Sequence, residues 1–178
     1  MAVREILLLG DPRLLQPSRD VAPHELGLLG PLVDDLHDTL MEFRRLWGAG
    51  RAVAAPQLGD LRRVVYLHLG SPHVIVNPRL TDSSADMIEV WDDCMSFPEL
   101  LVKVRRHRRV VLEYQDASGA ERRWALDGDL SELLQHEVDH LDGVLAVSRA
   151  IDGTSFALRS QAHHTGYDRT NLPPPDPA

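Results

Sequence analysis

Gln135-His136-Glu137-Val138-Asp139-His140 is the stretch whose reading decides the fold. Histidines at i and i+4 of a helix point from one face, a turn apart, which is the spacing needed to grip one metal. Glu137, directly after the first histidine, can reach a water held by that metal and act as general base. The pattern is short, and on an amphipathic helix the same residues would serve as polar surface. The flanks supply the helix. Leu130, Leu133, Leu134, Val138 and Leu141 recur at helical spacing, and Asp142-Gly143 reads as a stop. The spacing predicts a helix from near Asp127 or Asp129 to about Leu141.

A tetrahedral catalytic site takes three protein ligands and leaves a fourth position open. Downstream of the motif the candidates for a third ligand are Asp142, Asp152, His163 and His164, the last two in a segment without structure signals. Upstream stands Cys94, the only cysteine, in Asp92-Asp93-Cys94-Met95-Ser96. A lone thiol excludes an internal disulfide and leaves three readings: buried core residue, nucleophile or metal ligand. A thiolate binds zinc or iron(II) well, so a site of one sulfur and two nitrogens is chemically reasonable.

Around these residues the chain has the makings of one domain. Its 178 residues, 43% hydrophobic and 26% charged, suit one globular core. The net charge of −8 argues against specific DNA binding, which needs clustered cations. No apolar run is long enough to cross a bilayer, and Ile6 to Leu9 reads as a first strand instead of a signal peptide. A cytoplasmic protein is the expectation. Pro23 to Trp47 carries an apolar stripe of helical period, ended by Gly48 and Gly50. Val64 to Leu69, Val74 to Leu80 and Met87 to Trp91 read as strands. Val110 to Tyr114 and Arg122 to Leu126 flank Asp116-Ala117-Ser118-Gly119 as a hairpin. Residues 1–160 form the expected catalytic domain. Residues 161–178, with four prolines from Asn171 onward, read as a flexible tail.

Three islands, in order, resemble the peptide deformylases. Gly50-Arg51-Ala52-Val53-Ala54-Ala55-Pro56-Gln57 is similar to that family's Gly-x-Gly-x-Ala-Ala-Pro-Gln. Asp92-Asp93-Cys94-Met95-Ser96 is similar to its Glu-Gly-Cys-x-Ser, and Gln135 to Gly143 to its Gln-His-Glu-x-Asp-His-Leu-x-Gly. The resemblance implies an α+β fold, with mixed, mostly antiparallel β-sheets around the central metal-binding helix. It implies that Cys94, His136 and His140 hold one divalent metal, iron(II) in the cell with zinc or nickel as alternatives. Glu137 would then be the general base, and Gln57 and the Met95 N–H would stabilise the oxyanion. The implied reaction removes an N-formyl group from a formyl-methionyl peptide or a related formamide, giving formate and a free amine. If nascent chains are the substrate, the ribosome is an implied partner. The rival readings are a zinc endopeptidase with a third ligand other than Cys94, and a binding protein that keeps the fold without the activity.

The departures from the pattern, Arg51, Ala52, Asp92, Asp93 and Glu132, fall around the expected substrate groove, whose expected lining is Arg51, Ala52, Val53, Asp93 and Glu132. Asp93 replaces a glycine and is expected to tolerate a left-handed backbone there. Glu132 stands one turn before His136, where the resemblance implies an aliphatic wall for a methionine side chain. An unpaired carboxylate there is costly to bury, so Arg51 is the expected counter-ion. With Asp92 and Asp93, Glu132 is expected to turn the groove toward a polar or cationic side chain. Asp139, off the metal-binding face, is expected to pair with Arg105 or Arg106.

Overall fold

A computed structural model of the chain describes residues 3–167. The described residues form two α-helices and eight strands. α1 is Gly30–Trp47 and α2 is Gly128–Leu141. The strands are β1 (Ala52–Ala54), β2 (Val64–His68), β3 (Pro72–Thr81), β4 (Met87–Asp93), β5 (Leu100–His107), β6 (Arg109–Gln115), β7 (Glu121–Asp127) and β8 (Phe156–Leu158). They form a five-stranded sheet in the order β1-β2-β3-β6-β7 and a three-stranded sheet in the order β4-β5-β8. Every strand pair is antiparallel.

Alternation along the strands explains how the β1–β2–β3 end of the larger sheet is buried on both faces. Val53, Val64, Tyr66 and Val76 pack with Leu36, Leu40 and Phe43 of α1. Their neighbours Ala52, Ala54, Val65, Leu67 and Ile75 pack with Leu134, Val138 and Leu141 of α2. Side chains of period two therefore serve opposite helices, and β2 is a continuous apolar run because neither of its faces meets water. β1 offers α2 only alanines, which lets the helix approach closely. On its far side α2 meets β5 of the smaller sheet.

Buried between two sheets, α2 has no solvent face beyond its first turn, and all eleven residues from Ser131 to Leu141 are buried. Its polar groups must then be satisfied internally. Gln135 Nε2 donates to His107 O at 2.8 Å, and Gln135 Oε1 accepts from His107 N at 3.0 Å, pinning the helix to the end of β5. Gly143 closes the helix at φ +72°, where a Cβ would stand 2.6 Å from Leu15 O.

Three sequence expectations are corrected. Ile6 to Leu9 is not a strand. Leu7 N–H donates to Gln57 O at 2.8 Å and Leu9 N–H to Ser96 O at 2.8 Å, so the segment bonds two different loops and no ladder forms. Pro23 to Trp47 is not one helix. A 3-10 helix, Pro23–Leu28, precedes α1, and Pro31 fixes the new start because proline lacks the N–H an interior turn requires. Asp93 is not left-handed, since Asn77 and Asp82 are the only described non-glycine residues with positive φ. Within the expected tail, residues 161–164 belong to the 3-10 helix Arg159–His164. Residues 168–178 lie outside the described residues.

Candidate metal centre and active site

Cys94, which follows β4, and His136 and His140 on α2 converge. One ligand atom from each lies within 4.8 Å of the others. Cys94 Sγ is 3.2 Å from His140 Nε2, which is 3.1 Å from His136 Nε2. All three residues are buried. A soft sulfur and two imidazole nitrogens facing one point make a donor set that suits a divalent transition metal. The downstream candidates are not part of this group. Asp142 pairs with Arg63 at 2.6 Å, and Asp152 accepts from Thr154 and Ser155 in a turn. The rings of His163 and His164 meet each other at a tilt, and neither belongs to the cluster.

The supports of the ligands are as specific as the ligands. His136 Nδ1 meets Asp92 at 2.9 Å, which leaves Nε2 free to bind a metal. Asp92 also accepts from Arg106 at 3.0 Å, and Arg106 bridges to Asp139, which Arg149 holds at 2.5 Å. The expected partner of Asp139 is thus Arg106, while Arg105 pairs with Glu89. The bridging position of Asp92 is missing from the sequence reading. Strand alternation carries the signal. Asp92 and Arg106 share a face with the apolar Val102 and Val104, and an acid and an arginine on a buried face must meet.

Glu137 is buried, and its Oε2 has no hydrogen-bond partner among the described residues. Burial pushes its carboxyl up to about 7, with His136 pulling the other way. Burial likewise pushes the Cys94 thiol up and, together with His136, holds His140 well below the usual imidazole value. His136 is raised because Asp92 and Cys94 outweigh the opposing effect of its burial. Gln57 Oε1 accepts from Ala54 N–H at 2.9 Å, which turns Nε2 toward Cys94 Sγ at 3.6 Å and Ser96 Oγ at 3.2 Å. The Met95 N–H finds no acceptor among the described residues.

A cavity of about 600 Å³ opens onto this centre. Arg51, Ala52, Gln57, Asp93, Cys94, Met95, Glu132, His136 and Glu137 all contribute to its wall. Val53 does not: its side chain packs against α1. His140 lies deeper, at 1% exposure. Arg51 reaches Asp129 at 2.5 Å and Glu132 at 3.3 Å, so the expected ion pair exists but is shared. Burial and nearby Asp92 push the Glu132 carboxyl up to about 8 against the pull of Arg51. Thr165, Gly166 and Tyr167 complete the wall, a contribution with no periodicity or motif to announce it.

A model of the polypeptide deformylase family matches residues 3–155. Peptide deformylase 1 of Prochlorococcus marinus (strain MIT 9313) is 35% identical over 178 residues, covering 93% of this chain and 90% of its own length. A Brucella melitensis protein named peptide deformylase-like is 36% identical over 152 residues, covering 84% and 89%. The crystal structure of peptide deformylase from Thermotoga maritima is similar with a TM-score of 0.78 at 27% identity, covering 85% of this chain and 100% of that one. A class I type b peptide deformylase from Acinetobacter baumannii, bound to Met-Ala-Ser, gives a TM-score of 0.76 at 28% identity, covering 83% and 98%. The chain belongs to the polypeptide deformylase family.

Proposed function

We propose that this chain hydrolyses the formamide of an N-formylated peptide to formate and a free amine, at a metal held by Cys94, His136 and His140. The observation that carries the reading is convergence. Three ligand atoms converge, and the buried base Glu137 and Gln57 line the cavity that opens onto them. A divalent cation, when bound, is a Lewis acid that lowers the pKa of water, so that a nucleophile is available near neutrality. Iron(II) is the proposed metal in the cell, and the same donors suit zinc or nickel.

The chain's own groups carry the remaining steps. Asp92 holds the imidazole of His136 in the orientation and tautomer a ligand needs. Glu137 takes one proton from the attacking water as the new C–O bond forms. The same carboxyl returns that proton to the nitrogen as the C–N bond breaks, which releases formate and the amine. Gln57 Nε2 and the Met95 N–H donate to the oxygen that gains charge on the formyl carbon. Losing one donor of this kind typically costs about 2.7–4 kcal/mol. β1 is the edge of its sheet, and because Arg51 O accepts from His68 N–H on the β2 side, alternation turns the backbone groups of Ala52 to the free side, where an extended peptide can pair.

N-formylated peptides in the cytoplasm are the proposed substrates, and the ribosome is the proposed partner if nascent chains are among them. No described helix is long and apolar enough to cross a membrane. The test is formate release from formyl-methionyl-alanine by protein purified without oxygen. Release that disappears on chelation and returns with added iron(II) supports the reading. No release from any formyl-peptide contradicts it.

A further inference from the structure

One wall of the cavity is a counter-charge short. Asp129, Glu132 and His136 follow one another at helical spacing on α2, and all three line the cavity. Glu132 therefore stands about 6 Å along the helix axis from the ligand His136. Apart from the base Glu137, the other acids of the wall have cations of their own. Asp92 has Arg106 at 3.0 Å, Asp93 has Arg159 at 2.7 Å, and Glu89 has Arg105 at 2.7 Å with Lys103 at 3.0 Å. Asp129 and Glu132 have only Arg51 between them, and Asp129 takes the shorter bond.

Glu132 is 6% exposed, and what it exposes faces the cavity. Its Oε2 accepts the longer Arg51 bond, and its Oε1 has no hydrogen-bond partner among the described residues. Burying a carboxylate oxygen without a donor is unfavourable, and a donor arriving with a ligand relieves that cost. An apolar ligand group in the same place would seal the oxygen off from water and leave it unpaired. Two carboxyl groups share one guanidinium, so a cation arriving at Oε1 meets an acceptor that no other donor holds.

We propose that Glu132 is a specificity-determining residue that receives a cationic side chain, an ammonium or guanidinium, on the residue bearing the formyl group. The proposal rests on the deformylase reading and narrows its substrate class. An extended lysine stem spans roughly 6 Å, which matches the single turn between His136 and Glu132.

The test compares kcat/KM for formate release from formyl-lysyl-alanine and formyl-norleucyl-alanine, whose side chains differ by the terminal ammonium. Wild type should prefer the lysyl substrate by about tenfold or more, the scale that one hydrogen bond to a charged group supplies. Glu132→Gln should bring the ratio near one, and Glu132→Leu should invert it. Because both substrates are read on the same preparation, the ratio does not depend on how much of a variant folds, and Glu132→Gln keeps the shape of the side chain. A wild-type preference for norleucine, or a ratio that Glu132→Gln leaves unchanged, would overturn the proposal while leaving the deformylase reading intact. Absence of formate from every formyl-peptide would overturn both.

Discussion

Glu137 and Glu132 lie on the same buried helix and line one cavity, yet their surroundings fit them for different work. Glu137 has an oxygen without a partner beside the ligand cluster, and burial raises it to about 7, where a proton can be taken and given back near neutral pH. Glu137→Gln should keep one metal per chain and lose at least about a hundredfold in turnover, the usual scale of general acid–base catalysis. Metal content with steady-state formate release checks this, and near-wild-type turnover would remove the assigned role. Glu132 is raised to about 8, first by burial and then by Asp92. The folded chain thus holds a proton over a window in which the unfolded chain has already released it. Stability is then lost as pH rises from about 4.5 toward 8, by up to ~1.4 kcal/mol per pH unit. Urea unfolding should show wild type losing stability relative to Glu132→Gln between pH 5 and pH 8. A pH-independent difference between the two would contradict the account. A cation beside Oε1 would draw this carboxyl back down, so the raised value and a cationic ligand are compatible.

The element that does most for the site is α2, and it was also the most legible in the sequence. Its apolar positions, its histidine spacing and its Asp142-Gly143 stop all agree, because a helix buried between two sheets cannot place any residue freely. The hairpin of β6 and β7 was legible for a similar reason, with turn residues between two strand-like runs. β1 and β8 were not, since three residues carry no period. Ile6 to Leu9 misled, because its hydrogen bonds go singly to two loops remote in sequence. Two predictions belong to this scale. Gly143→Ala forces a Cβ against Leu15 O at positive φ and should destabilise the chain by about 1–3 kcal/mol in chemical denaturation. A cost near zero would show that the helix stop tolerates a side chain. Asp92→Asn removes the carboxylate that orients His136 and should weaken metal binding roughly 10–100-fold. Unchanged affinity in a metal competition titration would show that the His136–Asp92 contact does not support the ligand.

Across the whole molecule, the site is where separate parts of the chain meet. The loop after β1 brings Gln57, the end of β4 brings Cys94, α2 brings both histidines and the base, and Thr165 to Tyr167 close the wall. The ligands and the base could be found from sequence because metal chemistry restricts residue types and spacing. The electrostatic partners could not be assigned as readily. Which arginine meets which acid depends on register between strands, as with Asp92 and Arg106, or on a distant segment, as with Asp93 and Arg159. The central claim is that Cys94, His136 and His140 together hold the metal on which formamide hydrolysis depends. Elemental analysis of wild type and Cys94→Ala, purified without oxygen, tests it most directly when paired with formate release from the same samples. The account predicts one metal per chain in wild type, with both metal and formate release largely lost in Cys94→Ala. Full metal occupancy in Cys94→Ala, or undiminished formate release from metal-free wild type, would contradict it.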